Sequence, residues 1–183
     1  MLEEHLGGHG GLTHLDKGSL NWFKSLGFSS FLDIGCGPGG MVELAESMEF
    51  KVLGIDGDYT LKRYNNDRFI IHDFTKGSID INETFDIGWS VEFVEHVDAK
   101  YIPNYMPCFQ SCNTVVVTYA PPGWEGHHHV NLQDEDYWIQ TFATNGLKHN
   151  AELTHQLRQH STMNLGKKGK KAFVRNRGLV FTK

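Results

Sequence analysis

Short apolar runs alternate along the chain with stretches of helical periodicity. Phe31-Leu32-Asp33-Ile34 reads as a first strand. Met41, Leu44, Ala45 and Met48 then recur at helical spacing, with Glu43, Glu46 and Glu49 between them. Lys51–Ile55, Phe69–Ile71 and Phe85–Trp89 read as the next strands, and Thr114–Tyr119, with its run of valines, as the clearest one. The stretch Val94–Cys112 is helical in parts and broken by Pro103 and Pro107. Asp134–Thr144 predicts another helix, with Trp138, Ile139 and Phe142 on one face and Gly146 as a stop. Leu147–His149 and Leu179–Thr182 are terminal strand candidates, and Ser19–Leu26 a leading helix ended by Gly27. Strands alternating with helices predict an α/β fold built on a mostly parallel sheet covered on both faces.

The chain has 183 residues. That suits a single domain, at about 150 residues each, and is long enough for a core without disulfides. Its apolar runs are too short to span a bilayer, and the acidic start Met1-Leu2-Glu3-Glu4 is unlike a signal peptide. Cys36, Cys108 and Cys112 are an odd number without a CxxC pattern, which predicts a reducing, cytoplasmic setting and no zinc. The formal charge of −5 is unevenly spread. Lys167, Lys168, Lys170, Lys171, Arg175, Arg177 and Lys183 crowd the last stretch, which has no acid. The acidic remainder argues against a general nucleic-acid binder and leaves room for a local cationic edge. Gly7–Gly11 and Gly166–Lys171 are the tracts expected to move.

The first strand runs directly into Gly35-Cys36-Gly37-Pro38-Gly39-Gly40. Glycines there let the chain turn sharply and let a ligand approach the backbone at the carboxyl ends of the strands. They satisfy both GxGxxG and GxGxG, so they do not choose a ligand by themselves. Their neighbours do. Asp33 lies inside the strand, where a dinucleotide-binding strand normally has an apolar residue and where a carboxylate would oppose a pyrophosphate. Asp56 ends the second strand and can accept hydrogen bonds from two ribose hydroxyls. Asp73 and Phe74 follow the third strand and can read the adenine amine and cover one ring face.

The set FLDIGCGPGG, VLGIDGD, IIHDF and FDIGWSVEFVEHV resembles class I S-adenosylmethionine-dependent methyltransferases, over about Phe31 to Thr182. With GGHGGLTH and APPGWEGHHHVN, the chain looks like a small bacterial or phage group of these enzymes. The resemblance implies a Rossmann-like, doubly wound seven-stranded sheet whose last strand, Leu179–Thr182, is antiparallel. It implies that Gly35, Gly37 and Gly39 line the methionine part of the cofactor. Asp33 then holds the loop and the amino group, Asp56 and Gly57 the ribose, and Asp73 with Phe74 the adenine, while Ser90 and Val91 flank the cofactor. Residues 1–30 read as a glycine-rich lid and leading helix, and residues 31–183 as the methyltransferase domain.

For the acceptor, methyl transfer needs alignment and, for a hydroxyl, a group that takes its proton. Ala120–Asn131, stiffened by Pro121 and Pro122, carries His127, His128 and His129. His128 or His129 is expected to be the base or the acceptor-binding group, with His96 as a further candidate. No metal is assigned. Adjacent histidines alternate in direction, so at most two would converge on an ion, and a carboxylate such as Asp134 or Glu125 would have to complete the set. The place after the fourth strand reads Trp89-Ser90-Val91-Glu92, without the Asn/Asp-Pro-Pro-Tyr/Phe of base-amine methylation. Pro107-Cys108 comes too late for cytosine-C5 chemistry and reads as a helix kink and buried thiol. These features favour a small-molecule acceptor, through oxygen, with an anionic group suited to the basic tail. The competing readings are a silent S-adenosylmethionine-binding module and a nucleic-acid methyltransferase with a targeting partner.

Overall fold

A computed structural model describes residues 2–164 and 171–183. Strands β1 (Ser30–Ile34), β2 (Lys51–Asp56), β3 (Phe69–Ile71), β4 (Phe85–Ser90), β5 (Cys112–Val117), β6 (Lys148–His149) and β7 (Leu179–Thr182) form one sheet. Its order is β3-β2-β1-β4-β5-β7-β6. β1 to β5 run parallel, while β7 is antiparallel to both of its neighbours, β5 and β6. This is the expected doubly wound sheet, with Leu179–Thr182 as the antiparallel strand.

Alternation along each strand divides the core between the two faces. Leu32, Ile34, Val115, Val117, Leu179 and Phe181 point to one side. Helices α3 (Ile102–Gln110) and α4 (Glu135–Thr144) cover it with Tyr105, Phe109, Trp138 and Phe142. Phe31, Val116 and Val180 point to the other side. Helices α1 (Lys17–Ser25), α2 (Gly40–Ser47), α5 (Ala151–His160) and α6 (Phe173–Arg177) cover that face.

Two readings change. Pro103 and Pro107 do not break the stretch before β5: α3 carries Pro103 in its first turn and Pro107 in its interior. Pro103 costs nothing there, because the first-turn N–H groups have no helical partner. Pro107 is tolerated where Tyr105, Met106, Cys108 and Phe109 bury the helix, and Cys108 is the expected buried thiol. The basic tail carries α6, and its Arg177 is buried rather than part of an exposed cationic edge. Lys167, Lys168 and Lys170 lie outside the described residues. No helix among the described residues is long and apolar enough to cross a membrane.

Candidate active site

The carboxyl ends of β1, β2 and β4 meet where the chain order of the strands reverses, the usual place for a ligand crevice in such sheets. Two cavities open there. The first, of about 360 Å³, is lined by Gly35, Gly37, Asp56, Gly57, Asp73 and Phe74. The second, of about 210 Å³, is lined by Asp33, Cys36, Val91, His127 and His129. Gly8, His9, Gly35, Gly37, Glu92 and His96 line both, so the cavities adjoin.

Glycine is required at two points of the loop. Gly35 has φ +79°, and a Cβ there would stand 2.3 Å from Phe93. Gly37 has φ +50°, with His9 packed over it. Asp56 fixes the loop from β2. Its Oδ2 accepts from the Gly37 N–H at 2.8 Å and its Oδ1 from the Asp58 N–H at 2.8 Å. The buried Arg63 donates twice to the Gly37 carbonyl, at 3.1 and 2.9 Å, and reaches Asp56 at 3.4 Å. Asp33 is buried at the wall of the second cavity. Burial, and then the charge of Asp56, push its carboxyl well above the usual range.

Residues before β1 fold over both cavities. Leu6 sits where a Gly57 side chain would be. His9 Nδ1 accepts from the Gly11 N–H at 2.8 Å, so Nε2 carries the proton it donates to Asp58 at 3.0 Å. His5 reaches Asp73 at 3.2 Å. Asp73 also caps the turn Phe74–Lys76 by accepting from the Thr75 N–H at 2.8 Å.

The histidine loop divides between the cavities. His128, with φ +47°, lines the first and lies near His5, whereas His127 and His129 line the second. The alternation expected of adjacent histidines is therefore present, and it turns His128 toward the first cavity. Trp124's carbonyl can only accept, so His129 donates Nδ1–H to it at 2.7 Å and keeps the Nε2 lone pair free. His96 packs edge-on against His129, with ring centroids 4.8 Å apart. Burial, then the neighbouring His129, bring its pKa down to about 4, so its imidazole is neutral at pH 7.

Two glutamates that the sequence reading left in the background stand here. Glu92 has φ +56°, a strained value for a non-glycine residue, and such strain gathers at functional sites. Burial, opposed by Arg177, pushes its pKa up to about 7. Glu95 is fully buried, and burial followed by the charge of Glu92 raises its carboxyl well above the usual range. Glu95, His96 and His129 form a group able to hold a metal ion, where none was assigned from sequence. The carboxylate is neither Asp134, which caps α4, nor Glu125, which is exposed.

Gly39 and Ser90 are placed differently from the expectation, since neither lines either cavity. Gly39 is the left-handed cap before α2 and packs on Phe69. Ser90 is buried and donates to the Ile34 carbonyl at 2.8 Å, tying β4 to β1.

Residues 32–117 match a family model described as a methyltransferase domain. No curated protein matches the chain. A TehB-like SAM-dependent methyltransferase from Corynebacterium glutamicum superposes with a TM-score of 0.62 at 18% identity, covering 91% of this chain and 87% of that one. The sugar N-methyltransferase KedS8 from Streptoalloteichus gives 0.60 at 10% identity, covering 91% and 87%. Magnesium protoporphyrin IX methyltransferase from Synechocystis, crystallised with SAM, gives 0.53 at 12% identity, covering 88% and 74%. The match over residues 32–117 and the shared fold support a methyltransferase that uses S-adenosylmethionine.

Proposed function

We propose that the protein methylates a hydroxyl oxygen of a small molecule, with the cofactor's adenosine in the first cavity and the acceptor's reacting end in the second. The observation that carries this reading is the free Nε2 lone pair of His129, held by Trp124 at the wall of the smaller cavity. A hydroxyl entering there meets the open ring nitrogen of His129 beside the neutral imidazole of His96. Gly57 and Phe74 in the first cavity, and Val91 in the second, suit the roles that the resemblance gave them. S-adenosylmethionine supplies a methyl on a sulfonium: the acceptor's proton leaves, the oxygen–carbon bond forms, and the broken carbon–sulfur pair stays on sulfur. Similar folds whose names specify a porphyrin or a sugar as substrate support a small acceptor. The run Lys167, Lys168 and Lys170, which suggested an anionic acceptor, lies outside the described residues, and Arg177 is committed to Tyr119 and Glu92. Three free, buried cysteines suit a reducing cytoplasm.

The test is S-adenosylhomocysteine formation, followed by mass spectrometry, over matched panels of hydroxyl, amine and thiol acceptors. Turnover confined to amines or thiols sinks the oxygen assignment.

We also read residues 2–15 as a lid over the cofactor. His9 is the latch, through Asp58 and Gly37. His9→Ala should lose about 1 kcal/mol of closure. By stopped-flow, S-adenosylhomocysteine then dissociates roughly fivefold faster, with little change in the association rate. An unchanged dissociation rate rules out the latch.

A further inference from the structure

Glu95, His96 and His129 bring one carboxylate oxygen and two ring nitrogens within 4.8 Å of one another. The fold fixes them from two directions. The main-chain carbonyl of Glu95 accepts from the N–H groups of Val130 at 3.0 Å and Asn131 at 3.1 Å. The turn Val94–His96, just after β4, is thereby stitched to the loop that follows β5. Within this frame the lone pairs outnumber the donors. Glu95 is 0% exposed, and its carboxylate oxygens meet no donor beyond their own main-chain N–H and the neighbouring Glu92 carboxyl. Nδ1 of His96 is also buried and unpartnered. His129 has already given its one N–H to Trp124. Buried polar atoms are almost always satisfied, and buried charges are paired or coordinate metals.

We propose that Glu95, His96 and His129 bind a divalent first-row transition-metal ion at the edge of the second cavity. Two imidazoles with one carboxylate suit Zn²⁺, Mn²⁺ or Co²⁺ better than ions that favour oxygen ligands alone. A metal-binding imidazole commonly donates its other N–H to a carbonyl, which is what His129 does with Trp124. Three protein ligands leave coordination positions open on the ion, and His96 and His129 face the acceptor cavity. Resting on the hydroxyl reading above, the ion acts as a Lewis acid in place of a general base, since it takes up the His129 Nε2 lone pair that would otherwise accept the proton. It polarises the acceptor oxygen, whose proton leaves to water as the oxygen takes the methyl and the carbon–sulfur pair stays on sulfur.

The test uses the untagged full chain, stripped with a chelator, loaded with Co²⁺, Mn²⁺ or Zn²⁺ and gel-filtered. The expected result is about one retained ion per chain, visible ligand-field bands with Co²⁺, and a rise in Tm on loading. Glu95→Gln should weaken metal binding by about 100-fold or more. The Tm of the metal-free variant should stay level or rise, because a fully buried carboxyl crowded by Glu92 is removed. His129→Ala should lose the ion in the same way, and it decides the matter if Glu95→Gln does not fold. Equal metal retention by the parent and His129→Ala overturns the site. The Tm shift with S-adenosylhomocysteine, measured on the same samples, separates the two readings. A shift without bound metal sinks the ion and leaves the methyltransferase. A bound ion with only amine methylation keeps the site and sinks its hydroxyl substrate. Hydroxyl methylation that survives the chelator undiminished sinks the ion's catalytic part.

Discussion

Asp56→Ala should lower the affinity for S-adenosylhomocysteine by about 100-fold or more while leaving a folded protein. Two losses add. The first is a charged acceptor for the ribose, whose hydrogen bonds are worth about 1.5–3 kcal/mol each. The second is the brace on the glycine loop, since Asp56 takes the Gly37 and Asp58 N–H groups and stands beside Arg63. Without it the loop is no longer held ready, and ordering it has to come out of the binding free energy. Calorimetry measures the affinity, and a thermal shift gives a second reading. At a hundredfold excess over the parent's Kd, bound ligand stabilises by about 2.7 kcal/mol. That is roughly 5–11 °C for a domain of this size. In Asp56→Ala the same ligand concentration should move Tm by about 1–2 °C. Asp56→Asn, which keeps an acceptor oxygen but not the charge, should fall between. Affinity within threefold of the parent in the alanine variant would falsify the assignment.

The two halves of the site differed in how readily the sequence disclosed them. The nucleoside side depends on short spans: a glycine turn straight after β1 and one carboxylate at the end of each neighbouring strand. Strand periodicity and the resemblance point to those residues, and Gly35, Gly37, Asp56, Asp73 and Phe74 line one cavity. Gly39 and Ser90 do not, because a glycine's use as a cap, or a serine's hydrogen bond to Ile34, depends on neighbours that periodicity does not show. The acceptor side depends on long spans. Glu95 and His96 meet His129 only because Val130 and Asn131 donate to the Glu95 carbonyl across more than thirty residues. The Glu-Phe-Val-Glu-His string was visible, but nothing local marks Glu95 as the buried member and Glu92 as the strained one. The same holds for α5, whose apolar face is little more than Leu153 and Leu157; packing under β7, not pattern, makes it a helix. The local signals that mark it are an Asn cap at Asn150, accepting from the Leu153 N–H at 3.0 Å, with Glu152 in the first turn and Arg158 in the last.

Asp16→Ala is expected to be the most destabilising of the substitutions considered, at about 3–5 kcal/mol. Asp16 is 0% exposed and precedes α1. Its Oδ1 accepts from the Ser19 N–H at 3.1 Å, which caps the helix, and from the Thr162 N–H at 2.8 Å. Its Oδ2 accepts from the Ser161 hydroxyl at 2.5 Å. One carboxylate therefore starts α1 and ends α5, joining segments 145 residues apart in sequence. Alanine strips the acceptor from two backbone donors and the hydroxyls of Ser161 and Thr162 around a fully buried carboxylate, and buried donors left unpaired cost far more than the net worth of the bonds. Loss of the cap alone accounts for only about 1 kcal/mol. The difference between that figure and the expected total is what the experiment measures. Thermal unfolding should show Tm lower by roughly 6–20 °C for Asp16→Ala. Asp16→Asn, which retains one acceptor oxygen, should lose about half as much. If both variants lose only the value of a cap, the tie to Ser161 and Thr162 contributes nothing, and α1 is held by Leu20, Trp22 and Phe23 in the core rather than by this carboxylate.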